Sequence, residues 1–542
     1  SDAYKGYRHP FLFGFHYLGG VGGDPRTLVE LAMSYLSSHI RRSPDWWNIL
    51  KNEDAKNEWM LYALNRVINV PTPSIKAEIN LSRKQIDYVL KELEGYNALR
   101  DGIYQVSCFE RIWESSSILD PDITTSLNTA FDGLQPQSLI DPEDDVTWHI
   151  IDHRLHCLVY GRTLVSHPNG STLETVSSPS SSDVYTTSTS FALLPSDVFV
   201  REKDSSISVR FLSYINNLHP KHRGTYTLLE TLLGGFIPLF EHALTDLHRN
   251  NPLVQRIPGN CRYTVWDEPD TPEHSDDEEE WEKYEREMRQ WALNRPIDLP
   301  DVPSSGYRGG LENRRHIVSL YNRVIQIFVN VSEIKLHPQE PFFMGVPWHV
   351  EGMRAERIVA CGFHCLSADN ITETCLKFRM AVTFPRGFSA GDTGATLRTW
   401  GIRDGDPCHQ YIGSVPIRPG LSLVYPNIYQ QSQTAFKLAD PSKEGHFKVI
   451  RFFLVDPDVK PVISTSRVAP QQEEWIHQAV DDNLDTRLPY EMIEKIMESI
   501  DGLMTFGEAK DYRQKLIEET RRFTQANNSY HFCIPFDIWN GP

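Results

Sequence analysis

Between about residues 315 and 465 the chain carries five apolar, β-branched runs at short spacing: 324–332, 358–363, 376–384, 421–425 and 447–456. Apolar and β-branched stretches of this length, punctuated by Pro and Gly, predict strands, and several in succession predict a β-sandwich or jelly roll. The composition agrees, because 35 Pro and 32 Gly suit a loop-rich β protein better than a helical bundle. At 542 residues, 40% of them hydrophobic and 11% aromatic, there is enough apolar material for one large β core wrapped by extensions.

The flanks read differently. Thr27–Leu36 and Ser82–Leu93 space apolar residues three and four apart, which predicts helices, and Ser82 stands where an N-cap belongs. Short β runs, 157–160 and 207–212, precede a helical stretch from Thr225 to Leu247, and helices return at Tyr490–Glu498 and Phe506–Asn527. The fold class expected is therefore α+β. Its divisions are a segment 1–25, a helical region 26–145, a β core 146–465 and a helical cap 466–542. A Ser/Thr-rich loop at 171–190 and an acidic insert at 267–295 interrupt the core. The first reads as mobile and the second as a solvated surface helix.

Lys+Arg 54 against Asp+Glu 72 leaves a net charge of −18, which repels nucleic-acid phosphates and anionic lipid. The expected partner is a small-molecule substrate, with neither nucleic acid nor membrane, and with homo- or hetero-oligomerisation left open. Eight Cys residues show no C-x-x-C pair and no dense disulfide framework, which predicts reduced thiols in a cytoplasmic protein. No apolar run of the ~18 residues needed for a span, and no signal-peptide pattern, is visible.

Chemistry concentrates at His349-Val350-Glu351. A His-x-acid pair on a strand puts an imidazole and a carboxylate on one face, two thirds of a facial metal triad. The same two groups also suit proton transfer near neutral pH.

Longer motifs carry a resemblance: Ser213–Pro220, Trp348–Met353, Asn370–Glu373, Tyr425–Gln430, Phe436–Pro441 and Phe453–Pro457. Through them the chain is similar, from about Thr27 onward, to a fungal family known as domain of unknown function 4246. That family resembles Fe(II)- and 2-oxoglutarate-dependent oxygenases. The resemblance implies a double-stranded β-helix, or jelly roll, with His349 and Glu351 as the first two iron ligands.

The chain departs from the family pattern where a distal His follows Tyr-Gln, because Gln431 stands there. It departs again where an Arg follows Gly-His, because Phe447 stands there. An amide is a poorer Fe(II) donor than imidazole, and Phe cannot neutralise a carboxylate. Lys448, the adjacent candidate for the cosubstrate carboxylate, points to the opposite face by strand alternation. Arg451 has the inward parity but sits roughly 13 Å along the strand from position 447. It marks either a substrate carboxylate or a partner for a buried acid, the second being favoured. His409 and His446, in loop-like settings, are further metal candidates. His219 reads as a turn-bridging residue before Pro220, and Cys361 and Cys365 as buried strand residues.

The site set is thus His349, Glu351, Gln431 and Arg451 as catalytic, Lys448 and Arg451 as cofactor-binding, and His349, Glu351 and Gln431 as metal ligands. Three functions follow. The first is an enzyme of fungal specialised metabolism running a redox-neutral cyclisation, isomerisation or dehydration, with His349 and Glu351 as acid and base. The second is an iron oxygenase with His/Glu/Gln ligands, and the third a silent binding or partner subunit. The cofactor is Fe(II) or none, with 2-oxoglutarate disfavoured.

Overall fold

The computed structural model describes residues 7, 22–142, 144–170, 172–180, 186–203, 206–248, 255–257, 261–263, 268–273, 276–484 and 488–539. Most of the 1–25 segment and, in the acidic insert, residues 267, 274 and 275 lie outside them. Helices flank a dense run of antiparallel strands, so the α+β class holds.

Eight strands make the centre: β1 (Arg323–Leu336), β2 (Val346–His349), β3 (Ile358–Asp369), β4 (Cys375–Ala381), β5 (His409–Pro416), β6 (Ser422–Pro426), β7 (Gln430–Gln433) and β8 (Gly445–Val455). They pair antiparallel in two sheets. The larger runs β1-β8-β3-β6, and the smaller runs β2-β7-β4-β5. Beyond β1 the larger sheet continues into Ser196–Lys203 and Ser206–Phe211, and beyond β6 into Trp113–Ser115 and Gln105–Val106. Part of the region expected to be purely helical therefore supplies strands.

Strand β8 shows why the sequence reads as near-continuous apolar here. Phe447, Val449, Phe453 and Val455 join the core between the two sheets, together with Phe378 and Ile412 of the smaller sheet. Ile450, Phe452 and Leu454 face the other way, into a second core under helix α1 (Arg223–Leu247). A strand buried on both faces loses the apolar/polar alternation of a half-exposed one. The helix approaches closely enough that a Cβ at Gly362 would lie 2.9 Å from Phe236, so glycine is required at that crossing.

The N-terminal helix α-type predictions hold at Leu28–Arg41, capped by Thr27, and at Arg83–Leu99, where Ser82 and Gln85 form a capping box. The insert helix Glu278–Asn294 buries no residue, as expected of a solvated helix. The Ser/Thr-rich segment differs from expectation in its described part. Leu173–Thr175 pairs with Leu164–Ser166, and Thr186 and Ser188 are buried, with Ser188 donating to Glu519 at 2.5 Å. No helix among the described residues is long and apolar enough to cross a membrane.

Candidate functional site

Strand β2 ends at His349, and the chain bends through Glu351 to Gly352, which adopts φ +66°. A Cβ at Gly352 would sit 2.8 Å from Ile358, so the bend needs both the positive φ and the missing side chain. Antiparallel register sets His349 directly opposite Gln431 of β7, and β4 flanks Gln431 on the other side through Phe378. From the larger sheet, β6 supplies Tyr425, with Asn427 just past its end.

These residues form one hydrogen-bonded cluster. His349 Nδ1 lies 2.8 Å from the Pro347 carbonyl and Nε2 lies 3.1 Å from Glu351 Oε1. Gln431 Nε2 donates to the same Glu351 oxygen at 2.9 Å and lies 3.4 Å from His349 Nε2. Tyr425 donates its hydroxyl to Gln431 Oε1 from behind. Asn427 clamps the Glu351 backbone, accepting from its N–H at 2.9 Å and donating to its carbonyl at 2.8 Å and to the Ile358 carbonyl at 3.0 Å. His349 and Glu351 keep 21% and 18% of their side-chain surface reachable, so they line a partly open chamber.

Both oxygens that His349 meets, the Pro347 carbonyl and the Glu351 carboxylate, carry no hydrogen, an arrangement that favours a ring donating from both nitrogens. Its electrostatics agree. Desolvation alone would lower the His349 pKa, but the hydrogen bond and charge of Glu351, with the Pro347 carbonyl, raise it above the ordinary value. Burial alone would raise the Glu351 carboxyl. The hydrogen bond and charge of His349, helped by Arg451 and His153, bring it instead down to about 2.

Arg451 occupies the inner face of β8, opposite Asn330 of β1 and Phe363 of β3. Its guanidinium donates to Ser332 Oγ at 3.1 Å and lies over the Phe363 ring at 5.5 Å. No carboxylate among the described residues comes within ion-pair distance of it. That corrects the favoured expectation of a buried acid partner: Glu351 is nearby in charge but is taken by His349. Phe447, two inner positions before Arg451, packs against Phe436 at 5.5 Å, which in turn meets Phe343 at 5.0 Å. This end of the inter-sheet space is aromatic and carries no cation.

Lys448 does not reach the chamber. On the opposite face of β8 its ammonium bonds Asp132 at 2.8 Å and lies 3.7 Å from Glu333, so its inclusion among cosubstrate-binding residues is corrected by strand parity. His409 is buried at the start of β5, not in a loop, and its Nδ1 meets the Phe532 carbonyl at 2.9 Å. His446 lies on β8 and bonds Ser367 at 3.2 Å. His219 accepts from the Lys221 N–H at 2.9 Å, the turn-bridging role expected. Cys361 and Cys365 are buried strand thiols, Cys361 touching Asn427 Oδ1 at 3.6 Å. Sequence reasoning missed the roles of Tyr425 and Asn427, although both lie in the Tyr425–Gln430 motif, and it missed His153, which no local pattern marks.

A family described as protein of unknown function (DUF4246) matches residues 83–479, well over half of the chain. The chain belongs to the DUF4246 family. No curated protein matches it. Among solved structures it is similar to the Fe(II)/α-ketoglutarate-dependent dioxygenase TqaL, at 10% identity and TM-score 0.27, over 78% of this chain and 95% of that one. It is also similar to a bsmA homolog from Methylobium petroleophilum PM1, at 9% identity and TM-score 0.23, over 62% of this chain and 87% of that one. These likenesses are too slight to bear on fold or activity.

The iron implied for this DUF4246 member can be tested against its donor set. His349, Glu351 and Gln431 converge closely enough to share an ion, but the atom Gln431 turns inward is an amide nitrogen, which offers hydrogens and no free lone pair. A carboxylate only accepts, so Glu351 dictates that orientation, and Tyr425 completes it by donating to the amide oxygen. Two metal-binding atoms and one hydrogen donor do not fit a facial triad. Among the described residues no group of three or more His, Cys, Asp or Glu is placed to hold a metal ion.

Proposed function

We propose that this protein is a small-molecule-metabolising enzyme on a double-stranded β-helix, and that its chemistry is redox-neutral: a cyclisation, isomerisation or dehydration begun by proton transfer from His349. The interleaved strand order, 1-8-3-6 facing 2-7-4-5, supports the jelly-roll assignment. The observation that carries the functional reading is His349 bonded through both ring nitrogens to oxygens, one of them the Glu351 carboxylate, beside a Gln431 amide that also presents hydrogen to Glu351.

The division of labour differs from an acid–base pair of His349 and Glu351. A carboxylate with a pKa near 2 is too weak a base to take a substrate proton at neutral pH. Glu351 instead orients the imidazolium and stabilises its charge, while His349 Nε2–H is the transferable proton at the chamber face. Arg451 adds a fixed cation opposite, and the aromatic end at Phe447 excludes water.

The test is an anaerobic Fe(II) titration with and without 2-oxoglutarate, alongside the pH titration of ¹⁵N-labelled His349. The expected result is no stoichiometric iron, no visible charge-transfer band and a His349 ring protonated at neutral pH. One iron per chain with the band would refute the reading and make Gln431 an oxygen ligand through an amide flip.

A further inference from the structure

Strand β7 reads Gln430-Gln431-Ser432-Gln433, and its three amides meet different surroundings. Gln430 faces outward, where it accepts from Arg379 Nε and donates to Asn528. Gln431 faces inward and is taken up by Glu351 and Tyr425. Gln433 repeats that inward parity one pleat on, two residues of about 3.3 Å each and so roughly 7 Å along the strand. The register agrees. Gln431 lies beside Phe378 and Gln433 beside Leu376, both in the core between the sheets, whereas Lys377, beside Ser432, is exposed. On its other side Gln433 pairs with Val346 of β2, the strand that carries His349.

The side chain of Gln433 is 4% exposed as a residue, and its Oε1 and Nε2 are both sealed from solvent with no hydrogen-bond partner among the described residues. It is the one Asn or Gln among them left so at both atoms. A Cβ on Gly345 would lie 2.4 Å from the Gln433 carbonyl oxygen, so the backbone that carries the amide is closely packed. A buried amide without partners costs desolvation at each atom, and an apolar residue of the same shape would avoid that cost. Packing therefore gives no reason for a Gln at this position.

An amide offers an acceptor and hydrogens in one plane. An anion would meet the hydrogens and confront the oxygen, and a cation would do the reverse. Another amide edge, C=O beside N–H, meets both atoms at once through two parallel hydrogen bonds. A protonated carboxyl has the same edge but is ionised near neutral pH. The aromatic end of the chamber, where Phe447 packs on Phe436 and Phe436 on Phe343, carries no charge and suits a neutral planar group.

We infer that Gln433 is a specificity-determining residue of the chamber, recognising an uncharged small molecule by a carboxamide or lactam edge. The ligand N–H donates to Gln433 Oε1, and the ligand C=O accepts from Nε2. The rest of the ligand then extends toward His349, which faces Gln431 across the β2–β7 register. This rests on the small-molecule reading above and deepens it by naming the group recognised.

The experiment titrates the intact chain, labelled with ¹⁵N-glutamine, with 2-pyrrolidinone and with cyclopentanone, which keeps the ring and the carbonyl but has no N–H. The Gln433 side-chain NH₂ signal is identified by its loss in Gln433→Met. 2-Pyrrolidinone is expected to move that signal and to bind roughly tenfold more tightly than cyclopentanone, the share of one added hydrogen bond. Gln433→Met should bind the two probes about equally and unfold in urea no earlier than wild type, because an unpartnered amide is removed. Gln433→Leu serves where the Met variant fails to fold. Equal affinity of wild type for the two probes, no binding of either, or a preference that survives Gln433→Met overturns the assignment and leaves the amide to ordered water. One iron per chain together with the lactam preference retires the redox-neutral chemistry and keeps the Gln433 site. No iron and no preference retires the Gln433 site and keeps the chemistry.

Discussion

Replacing Glu351 by Gln removes the charge that keeps His349 protonated, and its cost can be worked from the site. The carboxyl titrates at about 2 in the folded chain because the hydrogen bond and charge of His349 overcome desolvation. Against ~4.3 for an unfolded Glu, at ~1.4 kcal/mol per unit, the ionised carboxylate contributes about 3 kcal/mol. A depressed pKa means this share is complete above about pH 4.3 and fades as pH falls toward 2. His349 runs the other way: its pKa is raised, so its share is complete below about pH 6.5 and fades as pH rises through the folded value. Wild type should therefore exceed Glu351→Gln most between about pH 4.3 and 6.5, by about 3 kcal/mol, with the gap shrinking at alkaline pH. Urea unfolding of both proteins from pH 4.5 to 9 measures it. A gap that is flat across that range, or that widens with pH, would mean His349 is not the carboxylate's partner.

Asn427→Ala strips three bonds from buried backbone groups around Glu351 and should cost roughly 2–4 kcal/mol by urea unfolding, with the Glu351 carboxyl moving back up. Lys448→Met leaves Glu333 without its buried ammonium and should cost about 1–3 kcal/mol, yet leave the ¹⁵N titration of His349 unmoved because Lys448 faces away from the chamber. Gln431→His exchanges an inward N–H for a nitrogen lone pair. One Co(II) per chain is expected by its visible spectrum where wild type takes none, and equal Co(II) binding by both would sink the donor-set argument.

What the sequence conveyed follows from how far each interaction reaches along the chain. Helices at Tyr490–Glu498 and Phe506–Asn527 depend on three- and four-residue spacing and local caps and were legible nearly to the residue, as was the start of Arg83–Leu99, which runs six residues beyond the expected Leu93. Strand β5, His409–Pro416, was not, because its sequence carries Gln, Gly and Ser where alternation would ask for apolar residues, and its burial comes from β4 and the C-terminal segment. The helix Pro121–Leu134 falls in the region read as helical, but its bounds were not legible, since Thr, Ser and Asn dilute its apolar stripe. At the site, His349 and Glu351 were visible as neighbours on one strand. Pairing of Gln431 with them needed the β2–β7 register, and the partner of Arg451 needed the β1–β8 register. His153 joins from nearly two hundred residues away through a turn, and nothing in Asp152-His153-Arg154 marks it.

Arg451 brings the fold and the function into one argument. Strand β8 is buried on both faces, with Val449 and Phe453 flanking Arg451 on the inner side and Ile450 and Phe452 beside it on the outer. At such a position an apolar side chain of similar volume would be neutral or stabilising, whereas a guanidinium costs desolvation that one bond to Ser332 does not offset. Desolvation accordingly lowers its pKa despite the charge of Glu351 nearby. Packing therefore gives no account of an Arg here, and the sheet does not need one. An anionic ligand bound beside Arg451 would supply the missing counter-charge, which would turn a costly residue of the core into one suited to recognise a substrate.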